Sequence, residues 1–474
     1  MRGLYFGHKT TLFSYLALGG LLFLVGVLLN TFAGASLLIE YMKYSIVLLF
    51  LVNVSISLFI QKLPIYHPFV MFMGMFFLFI LNRVFLDVIG LTDFAQTNMF
   101  SHYVFEIKEQ KIMLLNIAIA IWSLQAGSML GSVYSTPKQV HADTDLTWTR
   151  IGLLFFYLGM PFLFYQFWMA GMEVVERGYS VKLTDSLEYQ NTFFTTLMSR
   201  LSLAGFICYL AGFPKSRHFY LHLSFFVITF SLQLLQGMRG VVMCMLLVLF
   251  YYVFSNRDVI LNKYYLIGFI VFLFLSAAFI GSFRSHEKLS EKDNWAFDFL
   301  YNQGVTIQVL GYAVEYQDEV EYKFKDMFSH VMYRMEVTKH RFFKTGVTEG
   351  KVHIMNEFGN LSYQLTYKVN RSALLGGWDM ASSYLAELYL LGKAWMMLIV
   401  NVIIGFFSVF AVNILERKKT GMLILLMVLP SWLIIPRDNL FDFITDNITN
   451  VVFVLMILTI VRVLKKRNIL LVTV

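Results

Sequence analysis

The chain has 474 residues, of which 58% are hydrophobic and only 14% charged, with a mean hydropathy of +0.65. A soluble protein of this length needs roughly a quarter of its residues charged to cover its surface, so a soluble enzyme, a secreted disulfide scaffold and a disordered chain are excluded. A formal charge of +8 in a chain with 48 Phe and 26 Tyr fits the flanks of membrane spans rather than nucleic acid.

Stretches of about twenty apolar residues cross a bilayer core as helices. In chain order they predict twelve spans, at residues 11–33, 44–61, 68–90, 112–132, 150–171, 191–212, 218–236, 240–255, 263–283, 382–413, 421–436 and 447–464. The first is too long for a secretory signal and no small-residue cleavage site follows it, so it reads as a retained anchor. Cys208 and Cys244 both lie in apolar runs and can build neither a disulfide framework nor a metal knuckle. Sixteen Lys and Arg fall in the short loops and tails of one side, including the run Arg417, Lys418 and Lys419, against seven on the other. The positive-inside rule then puts both termini in the cytoplasm.

The fold expected is an all-α polytopic membrane protein of about 12 transmembrane helices, with one extracytoplasmic loop of roughly 100 residues between spans nine and ten. Its parts are an N-terminal membrane bundle at 1–283, the extracytoplasmic loop at 284–381, and a C-terminal bundle with a cytoplasmic tail at 382–474. The loop carries 12 basic and 13 acidic residues, so its charge is balanced. A loop this long is usually a functional lid or subdomain. From Trp295 to Tyr312 apolar and polar residues alternate at helical spacing, which predicts a helix lying on the membrane surface.

Three arginines stand where the chain leaves the bilayer on the side poor in basic residues. Arg239 is in Gln236-Gly237-Met238-Arg239-Gly240, Arg284 ends span nine, and Arg437 is in Pro436-Arg437-Asp438-Asn439. A guanidinium is permanently charged and offers a planar fork to phosphate oxygens, so the three around one cavity would clamp a diphosphate. The alternative is anchoring to lipid headgroups. Arg371 in the loop and Arg83 in span three extend the set, Arg83 having Asp87 at i+4 as a ready partner. Glu387 sits about a turn and a half into span ten, where a carboxylate costs a few kcal/mol unless it faces a partner or a wet cavity. A buried ion pair that only fixes helix packing is the other reading.

Other motifs are weaker. Asp143-Thr144-Asp145 has the form of a metal-binding DxD but falls on the cytoplasmic side and reads as a solvated turn. His330, His340 and His353 lack zinc spacing, so no metal is expected. The basic and aromatic run from Lys339 to Lys344 suits either a lipid-phosphate surface or solvent. No Walker A or dinucleotide fingerprint is present, which leaves nucleotide-driven chemistry without support.

The stretch Leu361 to Asn370, followed by Leu375-Gly376-Gly377-Trp378 and by Ser382-Ser383-Tyr384-Leu385-Ala386-Glu387-Leu388-Tyr389, resembles O-antigen polysaccharide polymerases of the Wzy type. In that family a long outer loop ends in a Gly-rich turn and enters a span through an Ala-Glu-Leu-Tyr-like sequence. Gly237-Met238-Arg239-Gly240 resembles the family's Gly-x-Arg joint, and Pro436-Arg437-Asp438-Asn439 its joint before the last span, with Asn439 where Ser is more usual. At Leu391-Gly392-Lys393 the usual Phe-Gly is altered. The resemblance covers about 230 to 464; the N-terminal half matches in hydropathy.

The resemblance implies a GT-C-like architecture in the bacterial inner membrane and undecaprenyl-diphosphate-linked oligosaccharides as substrates. It implies no cofactor, and a chain-length-regulating co-polymerase of the Wzz type as a possible partner. A hydroxyl of one repeat unit would attack C1 of the reducing sugar of the growing chain and release undecaprenyl diphosphate. Arg239, Arg284 and Arg437 would offset the charge of the leaving group, and Glu387, Asp438 or His353, in that order, would take the proton. An O-antigen ligase and a lipid-linked oligosaccharide flippase are the rival readings; the flippase should show two similar halves and no long outer loop.

Overall fold

The structure is a computed structural model. It describes residues 35–97, 103–135, 144–177, 193–214, 218–256, 295–329, 331–333, 335, 355, 357–376, 378–380 and 382–466, with fragments of 13–25. Its helices in chain order are α1 (Ser36–Ile60), α2 (Pro68–Val88), α3 (Ile107–Tyr134), α4 (Leu146–Arg177), α5 (Phe194–Ala211), α6 (Phe219–Leu234) and α7 (Arg239–Asn256). Then follow α8 (Trp295–Gln303), α9 (Thr306–Glu315), α10 (Leu361–Val369), α11 (Arg371–Leu375), α12 (Tyr384–Leu415), α13 (Lys419–Arg437) and α14 (Asp442–Lys466). A two-stranded antiparallel hairpin, β1 (Gln96–Thr97) and β2 (Tyr103–Val104), joins α2 to α3.

Among the described residues eight helices are long and apolar enough to cross a membrane, α6 and the apolar part of α14 being shorter. Helices stand at the expected spans two to eight and ten to twelve. Span nine lies outside the described residues and span one is described only in part.

Local chemistry sets the helix ends. Pro68 opens α2, and the Nδ1 of His67 accepts the Phe69 N–H. That imidazole is buried, which pushes its pKa down to about 3 and keeps it a neutral acceptor. Glu106 and Glu109 form a reciprocal capping box at the start of α3. Two of the spans carry one π-helical turn, Ile56–Ile60 in α1 and Phe77–Leu81 in α2. Such a turn rotates the face presented by the residues after it and is common at functional sites; here those residues are Asn82 and Arg83.

Two compact units, each discontinuous in sequence, make up the chain. The first comprises residues 1–137, 300–413 and 433–445. Its centre is α2 and α3, where Phe69, Phe72, Phe76, Leu114, Ile117 and Ile121 are fully buried. Asn53 donates to the Ile121 carbonyl, and Gln61 accepts from Gln125 and exchanges hydrogen bonds with Ser128, so α1 and the residue after it are tied to α3 by amides. On the other side of α3, Gly127 and Gly131 let the backbone of α12 approach, their missing Cβ atoms falling on the Val402 and Phe406 carbonyls. This is the small-xxx-small packing of membrane helices.

The second unit comprises residues 138–299, 414–432 and 446–474. It is built on the antiparallel pair α4 and α5, packed along Gly152, Gly159 and Gly205. Tyr252 donates to the Leu210 carbonyl and Tyr251 to Glu416.

The loop does not match its expected surface helix. Residues 306 to 314 of α9 are buried all round, with Gly311 against the Phe105 ring and Tyr312 bonded to Thr97. The apolar periodicity was real, but its apolar face is covered by α3 and the hairpin rather than by lipid.

Candidate active site

The described part of the 300–380 segment forms one end of the first unit. Asn82 and Arg83 at the C-terminal end of α2 meet the carbonyls of Leu300 and Tyr301, and Gln308 reaches the Gln96 carbonyl. Tyr322 meets Glu387 near the start of α12, and Phe328 packs on Phe441 just before α14. The C-terminal end of α2, the start of α12 and the joint before α14 therefore all meet this segment within the first unit.

Arg83 is 1% exposed. Its Nε donates to the Tyr301 carbonyl at 3.0 Å, and its guanidinium carbon lies 3.9 Å from the centre of the Tyr301 ring. Its Nη1 is buried with no hydrogen-bond partner among the described residues. Asp87 is not its partner, contrary to the i+4 expectation: Asp87 pairs with Lys43 and accepts the Phe94 N–H. Lys43 is itself nearly buried and needs the carboxylate more than a guanidinium already stacked on a ring.

Arg437 approaches the same segment two residues on. Its Nη1 donates to the Gln303 side chain at 3.0 Å, and its guanidinium lies 5.3 Å from the Phe79 ring, one turn before Arg83 on α2. Gly304 permits this crowding, because a Cβ there would fall on the Asn82 amide. Two of the expected arginines thus share one locality.

Glu387 is 1% exposed, and both of its oxygens are engaged. One accepts the Tyr322 hydroxyl at 2.8 Å and the other the Leu440 N–H at 2.7 Å. Burial, with the Glu387 carboxylate beside it, pushes the Tyr322 phenol well above its ordinary range, so it stays a donor. The joint from 437 to 442 is held further by Asn439, whose amide accepts from Ser382 and donates to Asp442. Asp438 is half-buried between Arg437 and Asn439, its Oδ1 accepting the Asn439 N–H.

The altered Leu391-Gly392-Lys393 stretch is where α12 breaks. Gly392 and Lys393 leave helical geometry, Lys393 with φ of +50°. At roughly 1.5 Å per residue the part from 394 to 415 is long enough to cross a ~30 Å core alone. Glu387 is therefore carried on a short separate helical piece.

The remaining expected residues fall elsewhere. Arg239 opens α7 in the second unit after a turn in which Gly237 has φ of +74°. Arg371 is exposed at the start of α11, its guanidinium 5.2 Å from the Tyr367 ring centre. Arg284, His353, His330, His340 and the run from Lys339 to Lys344 lie outside the described residues. Asp145 of the DxD stretch caps α4: its carboxylate accepts the Thr147 and Trp148 N–H groups and pairs with Lys419, while Asp143 is not described. Among the described residues no group of three or more His, Cys, Asp or Glu side chains is placed to share a metal ion. Sequence reading missed Tyr301, Gln303 and Tyr322; single neutral side chains in a chain so rich in tyrosine carry no local signal.

A helical membrane bundle with a buried arginine and a buried carboxylate meeting the same segment at one end is an integral membrane protein with a functional site there. The chain matches the family model of the O-antigen polysaccharide polymerase Wzy over residues 13–468, and it belongs to that family. It is accordingly a multi-pass membrane protein and a glycosyl-polymerising enzyme whose substrates are lipid-linked repeat units. No curated protein and no solved structure matches it.

Proposed function

We propose that the chain extends polyprenyl-diphosphate-linked glycan on the extracytoplasmic face of the bacterial inner membrane, without a metal ion, at the end of the first unit that carries Arg83, Arg437 and Asp438. The observation that carries this reading is the unpartnered Nη1 of a fully buried Arg83 beside Arg437. A buried charged donor left without an acceptor is costly, and a diphosphate supplies the acceptor. Tyr301 covers Arg83, so the diphosphate meets Arg437 first and reaches Arg83 as the 301–303 segment shifts.

In the reaction a hydroxyl oxygen of one repeat unit bonds to C1 of the reducing sugar on the other lipid carrier. The C1–O bond to the diphosphate breaks, and undecaprenyl diphosphate leaves with the electron pair. Fixed guanidinium charge offsets the roughly two negative charges that develop there. The hydroxyl proton needs a base. Sequence alone ranked Glu387 first, but its burial and full set of donors favour a positioning role, tying Tyr322 to the joint that bears Arg437 and Asp438. Half-buried Asp438 is the better proton acceptor. Arg239, Arg284 and Arg371 are retained as candidate diphosphate-binding residues, and His353 as an alternative base, on sequence grounds alone. A Wzz-type length regulator is proposed as partner on the family relation alone.

Sidedness rests on the charge bias, with both termini cytoplasmic. Cysteines at exposed Glu321 and Lys418 test it: an impermeant thiol reagent should label the first in spheroplasts and spare the second. The decisive experiment for the activity is ladder formation by the purified protein from lipid-linked repeat units. Absence of a ladder, with intact substrate recovered, refutes the proposal.

A further inference from the structure

Beside the Glu387 contact, and outside the arginine site, the loop forms an open cleft of about 410 Å³, within the size range of small-ligand sites, roughly 300–1,000 Å³. Its floor is the 319–326 segment, and its wall is Met355, Glu357 and Gly359 with Gln364, Tyr367 and Lys368 of α10. The two meet at Gly359, which has φ of +65° and sits so close to Asp326 that a Cβ would lie 2.5 Å from the carboxylate carbon.

The lining identifies the ligand class. Four carboxylates and three lysines face the cleft, so its charge nearly cancels, and neither a diphosphate nor a cation is selected. Val320 and Met355 are its apolar residues, too little for a lipid tail. What remains is a dense, mixed array of donors and acceptors: Lys368 paired with Glu319, Lys323 paired with Glu321, and the Gln364 amide. One aromatic ring, Tyr367, stands among them, steadied by Arg371 against it. Neutral polyhydroxyl rings match such a surface, with hydroxyls on the charged pairs and an apolar C–H face on the tyrosine.

We propose that this cleft binds the saccharide of the lipid-linked repeat unit, an assignment that rests on the polymerase reading above. The floor connects it to the reaction. From 321 to 323 side chains alternate: Glu321 and Lys323 are exposed and line the cleft, while Tyr322 turns inward to Glu387. A sugar held by Glu321 and Lys323 thereby fixes the segment whose intervening side chain, Tyr322, holds the Glu387 joint.

The test uses the purified full-length protein. The probe is the oligosaccharide released by mild acid from lipid-linked units that accumulate in cells lacking this chain, followed by saturation-transfer NMR and by titration. Tyr367→Ala should weaken binding about tenfold, and Tyr367→Phe, which keeps the ring, should bind like the wild type. In the ladder assay Tyr367→Ala should raise KM for the lipid-linked unit with kcat little changed. Gln364→Ala, on the same wall, supplies a second reading should Tyr367→Ala fail to accumulate. Unaltered oligosaccharide binding in Tyr367→Ala or Gln364→Ala, with a normal wild-type ladder, overturns the cleft assignment alone. No ladder from the wild type overturns the polymerase reading and the cleft with it.

Discussion

The α4–α5 pair of the second unit and the loop-bearing end of the first are assembled on opposite principles. Between α4 and α5 the contact is made by absence: Gly159 abuts the Met198 carbonyl, Gly205 the backbone of Phe156, and Gly152 that of Tyr209. Lipid supplies no hydrophobic drive between helices, so close backbone approach and dispersion must do the work. At the loop-bearing end the contacts are hydrogen bonds and ring stacking, from Arg83 to Tyr301, Arg437 to Gln303 and Glu387 to Tyr322. The first kind of interface tolerates no added atom. The second depends on each donor and acceptor, and polar groups of this kind can be re-partnered by a substrate.

The largest effect should come from adding volume to the glycine interface. Gly159→Leu places a side chain where the Met198 carbonyl and Ser202 stand. Overpacking costs about 1–3 kcal/mol even in yielding cores, and here the obstacle is backbone. Membrane abundance and detergent melting temperature should both fall sharply, with activity lost in proportion to protein. Normal abundance with selective loss of activity would show that this pair is not merely scaffold.

Charge-conserving changes at the polar end should behave in the reverse way. Arg83→Lys and Arg437→Lys keep the charge but lose the planar fork and the stacking on Tyr301 or Phe79. Ladder formation should drop on the order of 100-fold, the usual scale for removing one preorganised donor from a developing charge, with abundance unchanged. Full activity in both lysine variants would reduce these arginines to packing elements.

Next in size is the Tyr322–Glu387 contact. Tyr322→Phe removes one hydrogen bond to a carboxylate, worth about 1.5–3 kcal/mol; with the Leu440 N–H still holding Glu387, a rate loss of roughly tenfold, the low end of that range, is expected. Glu387→Gln retains an acceptor for the Leu440 N–H and should lose a similar amount. A double variant no worse than either single one would show that the two act as a unit. Simple additivity would break the link between loop and joint.

How far the sequence foretold this depends on whether a residue signals its environment alone or only through a partner. Helices at spans two to eight and ten to twelve were legible because apolar length is a local property, and Glu387 because a carboxylate in an apolar run is conspicuous. Arg83 was legible as a charge but not by its partner, since Asp87 at i+4 is claimed by Lys43 from another helix. The helix at 306–315 was legible as a helix but not in its burial, because periodicity marks an apolar face without saying whether lipid or protein covers it. Gly127 and Gly131 have the Gly-xxx-Gly spacing but lie among ordinary small residues of α3, and only the approach of α12 reveals their use.

The smallest effect is expected from metal removal, and it separates the two kinds of region once more. Asp145, half of the DxD stretch, is occupied as the cap of α4 and the partner of Lys419. Asp145→Ala should therefore cost about 1 kcal/mol of stability, as a lost helix cap does, and leave the rate of ladder formation per folded molecule unchanged. On the proposed arginine account excess EDTA should likewise leave the ladder intact, guanidinium groups taking the place of a divalent ion beside the departing diphosphate. Suppose instead that chelation abolishes the ladder and Mg²⁺ or Mn²⁺ restores it. The arginine account then fails, and the joint before α14 becomes the place to search, since Asp438 and Asp442 both lie near Glu387 there. Asp438→Asn would then raise the metal concentration needed for half-maximal rate, whereas a base acting without metal would lose rate at every metal concentration alike.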